Sequence, residues 1–316
     1  MNTNIGMAGE FRCVVKKSDG SIKTDTGYQK NLILDQGLDF FGGGNGYNMM
    51  TFCVIGSGNS QPIYTQNKLD ATIEWAVGGR VAYNSDYDAA RDGNLYKTNE
   101  VKKYTFNGLS NVNISEVGLA SEFSSTTDYY LCTRALIKDA QGVPATITVL
   151  SDEVLEIYYK LWQVFDTTDK VGTINLLDGV GGSVAYNYKL RLCVVGSRIY
   201  QVGGLLTGDF TDLYALSSIF TGDLEDIKGI PSGFIFGSNS LTLSTYNRGS
   251  YRRTILCALT HEEGVGNIRT YVLGTTMGAY QIRFGSVADD SPITKTNIQT
   301  LTIPVEVSWG RYEGAL

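Results

Sequence analysis

Histidine is almost missing from this chain: His261 is the only one in 316 residues. That removes the commonest general base, proton shuttle and metal ligand from nearly the whole sequence. His261 lies in ALTHEEGVGN beside Glu262 and Glu263. No G-x-S-x-G elbow, H-x-x-x-H spacing or second histidine accompanies it, so it reads as a solvated turn residue. Cysteine is sparse and odd in number. Cys13, Cys53, Cys132, Cys193 and Cys257 lie far apart, four of them in apolar runs such as FRCVV and ILCAL. No pair has the close spacing of a zinc site, and all five read as small buried hydrophobes.

Charge is low, at 18% of residues, where about 25% is usual. Lys and Arg number 26 against 32 Asp and Glu, a net charge of −6. Such a chain has no global attraction to phosphate or anionic lipid, and no basic cluster with interleaved aromatics supports nucleic-acid binding. No run approaches the roughly 18 apolar residues of a membrane span. MNTNIGMAGE lacks the charged and apolar regions of a signal peptide, so the expectation is folding in a cytoplasm without membrane insertion.

Glycine (37) and tyrosine (20) are abundant. Together with Thr and Ser they fit many strands joined by tight turns. Strand-like runs recur over 11–15, 51–55, 112–119, 129–137, 145–150, 154–165, 189–195, 251–259, 267–273, 280–284 and 299–309, divided by turns such as Ser18-Asp19-Gly20 and Ala140-Gln141-Gly142. The pattern predicts an all-β protein of sandwich or barrel type. Helix is expected in two short pieces. Leu34, Leu38 and Phe41 recur at helical spacing with Asp35 at the start and Gly42 at the end, and 211–220 (TDLYALSSIF) shows a similar pattern.

The length allows two cores of about 150 residues each. The expected division is a β-sandwich domain over 1–166 and a second over 167–316, with the polar stretch Asp166 to Gly172 as linker. NLILDQGLDFF at Asn31 and INLLDGVGG at Ile174, like FCVIGSG at Phe52 and LCVVGS at Leu192, hint at a tandem duplication with offsets of roughly 140 residues. The last long run is the clearest strand. In TLTIPVEVSW, Leu301, Ile303, Val305, Val307 and Trp309 fall on one face and Thr302, Pro304, Glu306 and Ser308 on the other. Pro304 cannot donate to a ladder, which predicts a sheet edge or a bulge at that residue. An exposed edge invites pairing with another chain, so Pro304, Glu306 and, just beyond, Tyr312 are the candidate interface residues.

Other chemistry is thin. The loop from Asn84 to Asp88, with Asp92-Gly93, alternates carboxylates but lacks the distal glutamate of an EF-hand, and reads as a polar loop. Gly42 to Gly46 and Gly56-Ser57-Gly58 match no phosphate-binding motif and read as turns with positive φ. Glycosidase-type carboxylate pairs need only spatial proximity, and no particular pair stands out. Trp75, Tyr158, Tyr159, Trp162, Tyr186, Tyr188 and Trp309 are core or cross-strand partners, with a minority available for stacking on a ligand. No cofactor and no catalytic or metal-binding set is expected.

Several segments in order, KNLILDQGLDFF, FCVIGSGNSQPIYTQNKL, FNGLSNVNISEVGLAS, LCTRALIKDAQGVPATITVLSDEVLEIYYKLWQVF and SPITKTNIQTLTIPVEVSWGRY, together resemble bacteriophage virion proteins of the tail, neck or collar appendage type. The resemblance covers most of 26–165 and the last thirty residues, while about 171–250 matches nothing in it. It implies a non-enzymatic structural subunit of the particle, assembled in the host bacterial cytoplasm and joined to copies of itself and to other virion proteins of tail, portal, neck or capsid. The alternative it implies is a receptor-binding or glycan-recognising tail appendage that contacts the host surface. A bacterial adhesin or pilus-like module is disfavoured by the missing signal peptide.

Overall fold

The computed structural model describes residues 1–43, 49–84, 91–177, 182–193, 217–238, 241–275 and 278–316. Its first half contains β1 (Asn2–Lys16), β2 (Ile22–Asp25), β3 (Gln29–Ile33), α1 (Asp35–Gly43), β4 (Phe52–Gly56), β5 (Thr72–Asn84) and β6 (Arg91–Asp92). It continues with β7 (Leu95–Phe106), β8 (Val112–Ile114), β9 (Glu116–Ser125), β10 (Asp128–Leu131), β11 (Thr133–Leu136), β12 (Ile147–Val149) and β13 (Val154–Asp166). The second half holds β14 (Lys170–Leu177), β15 (Ser183–Leu192), β16 (Ser217–Phe220), β17 (Phe234–Ser238), β18 (Leu241–Leu243) and β19 (Arg252–Leu259). β20 (Gly266–Ile268), β21 (Thr270–Thr275), β22 (Gly278–Ser286), β23 (Ile293–Lys295) and β24 (Leu301–Arg311) complete it. The protein is all-β apart from α1 among the described residues.

The hydrogen-bonded path β13-β7-β5-β4-β9-β11-β3-β1 returns to its start, because β1 also pairs with β13 from Ile5↔Phe165 to Lys16↔Val154. The first half therefore closes as an eight-strand barrel where the sequence predicted a sandwich. Closure leaves no free edge among those strands. Alternate residues of the long strands, Phe11 and Cys13 on β1, Tyr104 on β7, Ile157, Tyr159 and Leu161 on β13, are fully buried. Each large apolar side chain so covered contributes about 1.5–3 kcal/mol.

β24 extends this sheet. It runs parallel to β1 (Asn2↔Glu306 to Met7↔Arg311) and antiparallel to β19 (Leu301↔Leu259 to Ser308↔Arg252), with β18 beyond. Leu301, Ile303, Val305, Val307 and Trp309 are all buried, as their alternation predicts. The predicted edge holds for part of the strand only: from Glu306 onward β24 has a neighbour on each side. Pro304 lies in the earlier half, which pairs with β19 alone, and there a missing N–H is tolerated. The parallel partner lies some 300 residues away in the chain, beyond the reach of any local pattern.

A six-strand sheet, β14-β15-β22-β21-β16-β17, faces the β18-β19-β24 layer. The Ser217 hydroxyl lies 3.1 Å from Cys257 Sγ and 3.3 Å from the Tyr271 hydroxyl, which joins β16 and β21 to β19. The two halves thus differ, one closed and one layered. Of the proposed repeat partners, 174–177 belong to β14 and Leu192 ends β15, while 178–181 and 194–197 lie outside the described residues. The expected linker shrinks to 167–169, since β13 ends at Asp166 and β14 begins at Lys170. Helix α1 forms where expected. Of the second expected helix, 211–216 lies outside the described residues, and Ser217–Phe220 is instead strand β16, held between β17 and β21. Pairing on both sides overrides a weak helical spacing.

Candidate assembly interface

The three residues expected at an interface do not form one surface. Pro304 is exposed and lines a groove of about 690 Å³, together with Ile174 and Leu176 of β14, Tyr186 of β15, Leu256 of β19 and Ile298. Glu306 is half-buried and engaged. Its N–H donates to the Met1 carbonyl at 2.7 Å, and its carboxylate lies 3.7 Å from Arg252. Tyr312 sits elsewhere, with its N–H donating to the Met7 carbonyl at 2.8 Å and its side chain packed on Gly6. It borders a cleft of about 250 Å³ lined by Gly9, Asn31, Arg134 and Arg311.

That smaller cleft has guanidinium groups but no free anion fork. Arg311 donates to Asp35 Oδ1 and to the Ile33 carbonyl, both at 2.6 Å, and stacks 3.9 Å from the centre of the Tyr64 ring. Arg134 is fully buried and already paired. Its Nε donates to Glu116 Oε2 at 2.9 Å, Nη2 to Asp70 Oδ2 at 2.8 Å and Nη1 to Ser60 Oγ at 3.2 Å. Glu116, also fully buried, accepts the N–H groups of Gly58 and Ala71 at 2.9 Å and of Asp70 at 3.2 Å. All three guanidinium nitrogens of Arg134 and both carboxylate oxygens of Glu116 have a partner, which is what a buried ion pair requires. The constellation ties the loop over 57–71 to β9 and β11 and acts as an anchor.

Gly56 and Gly58 belong to this anchor, and the reading of them as positive-φ turns is corrected. Neither has a left-handed backbone. A Cβ on Gly56 would meet Glu116 Oε1 at 2.5 Å, and one on Gly58 would meet it at 2.4 Å. Glycine is needed there for close approach to the carboxylate. Sequence reasoning missed Glu116 and Arg134. The available signal was a charge inside each of two apolar strands, in SEVGL and TRALI.

The remaining sequence candidates lie elsewhere. His261 is exposed in a turn, and its carbonyl accepts from Lys295 Nζ at 3.2 Å. All five cysteines are buried free thiols. Burial pushes the Cys13 and Cys132 thiols up to about 12, so neither carries useful thiolate near neutrality. Residues 85–90 of the acidic loop lie outside the described residues, while Asp92 is paired with Lys97 at 2.5 Å. Among the described residues no three His, Cys, Asp or Glu side chains converge as a metal site.

Of the aromatics, Tyr159 and Trp309 are core, and Tyr158, Trp162, Tyr186 and Tyr188 are half-buried. Trp75 is exposed on β5 beside Val77, edge-on to Phe52 at 5.3 Å between ring centres. Among the described residues the most exposed large apolar side chains line the groove, Leu177 at 87% and Ile298 at 81%. Comparison of the chain with protein-family models, curated proteins and solved structures finds no match.

Proposed function

We propose that this chain is a non-enzymatic structural subunit of a bacteriophage virion, a component of tail, neck or collar that assembles through β-rich surfaces. The reading rests on the order of the segments from KNLILDQGLDFF to SPITKTNIQTLTIPVEVSWGRY. The observation in the fold that supports it best is the open apolar groove beside Pro304, flanked by Leu177 and Ile298. An apolar surface of this kind serves docking better than turnover. In this reading, 1–166 and 167–316 are two structural units of one subunit. Its partners are copies of itself and neighbouring virion proteins, and its place is the particle, after assembly in the host cytoplasm.

Antibody raised against the chain tests the proposal by electron microscopy of phage particles that encode it. Labelling at one fixed level of the tail or neck is the expected result, and unlabelled particles would contradict it. The exposed Trp75, with Val77 beside it, favours a second reading, a host-surface glycan or protein receptor bound by an appendage. Saturable binding to a glycan array, abolished by Trp75→Ala, would favour that reading.

A further inference from the structure

β14 is an edge strand. Among the described strands it pairs with β15 alone, in unbroken register from Lys170↔Leu190 to Leu177↔Ser183. The N–H and C=O groups of alternate residues along its other side therefore point away from the sheet. Proteins usually blunt such an edge with proline, a bulge or a charge. Between Val171 and Leu177 there is none of these. The nearest charge, Lys170, is held by Asp166. On the outward face Val171 is 70% exposed and Leu177 87%.

The residues along this edge are self-complementary. In an antiparallel two-fold pairing centred on Ile174, Val171 stands opposite Leu177 of a second copy, Thr173 opposite Asn175, and Ile174 opposite Ile174. Apolar meets apolar, hydroxyl meets amide, and no like charges oppose each other. Moving the centre to Thr173 sets Val171 against Asn175 and Leu177 against Asp169. Moving it to Asn175 sets Leu177 against Thr173 and carries Val171 past the end of the strand. Only the Ile174 centre buries both exposed apolar residues at once.

We infer that two copies of this chain join edge to edge through β14, antiparallel about Ile174, so that their six-strand sheets become continuous. A two-fold contact of this kind is closed and stops at a dimer. Ile174 and Leu176 also line the groove beside Pro304, so the same operation brings Ile174 and Leu176 of the second copy to its mouth. The inference does not depend on the virion reading, because it follows from the edge alone.

Light scattering on the purified full chain and two double variants tests it. The wild-type chain is expected to be a dimer. Val171→Lys with Leu177→Lys sets lysine against lysine at both ends of the contact, and weakens association by about 100-fold or more. Val171→Lys with Leu177→Glu sets lysine against glutamate across the same axis, and restores a dimer that weakens as salt is raised. Both positions are exposed, and unchanged thermal midpoints of the monomeric forms confirm that folding is intact. Three results would each overturn the inference: a wild-type chain monomeric at its highest soluble concentration, an oligomer indifferent to the two lysines, or a Lys/Glu variant as monomeric as the Lys/Lys one.

Discussion

Arg134 and Glu116 show how single residues hold this fold. Removing one partner of a buried pair strands the other charge, so Arg134→Met is expected to lower stability by about 3–5 kcal/mol in urea denaturation. An ordinary buried pair is often replaceable by an apolar pair of similar volume. Here Glu116 also satisfies the N–H groups of Gly58, Asp70 and Ala71. Arg134→Met with Glu116→Leu therefore leaves the buried Gly58 N–H unpaired, at about 1–3 kcal/mol, and takes the same acceptor from the part-buried N–H groups of Asp70 and Ala71. The double variant is expected to stay well below wild type, and recovery to wild-type stability would refute the anchoring role.

Among the elements, β24 was the most legible and its neighbours the least. Ile303 is fully buried and Thr302 exposed. Ile303→Ala is expected to cost about 2–5 kcal/mol, and Thr302→Ala to stay within about 0.5 kcal/mol of wild type, both measured by chemical denaturation. That alternation, α1 and most of the strand runs could be read locally. β5, β7 and β14 could not. On β7 the inner residues between Tyr96 and Tyr104 are Thr98, Glu100 and Lys102, so the apolar alternation is lost inside the barrel. On β5 the pair Gly78-Gly79 resembles a turn, yet a Cβ on Gly78 would come within 2.3 Å of the Tyr104 ring. The start of β14 was hidden in a polar stretch that looked like a linker, and the barrel closure and the β1–β24 pairing join residues too distant for any spacing to show. The candidate interface was legible only at Pro304, because Ile174, Leu176 and Ile298 reach the groove through tertiary packing.

The short link between the halves is pinned by Arg191, whose Nε and Nη2 donate to the two Asp169 oxygens at 2.8 and 2.7 Å. This hydrogen bonding holds the Asp169 carboxyl below its usual range, as the hydrogen bond from Arg12 does for Asp25. A depressed carboxylate stabilises the fold above its unfolded value near 4, and that contribution is lost as pH falls through the lower folded value. The thermal midpoint is expected to hold from neutrality to about pH 4 and then to drop. Asp169→Asn should begin lower at neutral pH and fall less steeply in acid.

At the scale of the whole molecule, a closed barrel and a layered second half share one continuous sheet through β1 and β24. This gives a block with an apolar groove and, among the described strands, an edge strand β14 that is paired on one side only. Such a block suits repetition in a particle, where symmetry multiplies each modest contact. The most direct measurement of that claim is quantitative mass spectrometry of purified phage particles that encode the chain. The account predicts its peptides at a fixed multiple-copy ratio to the other particle proteins. Peptides confined to the soluble lysate, with none in the particles, would contradict it.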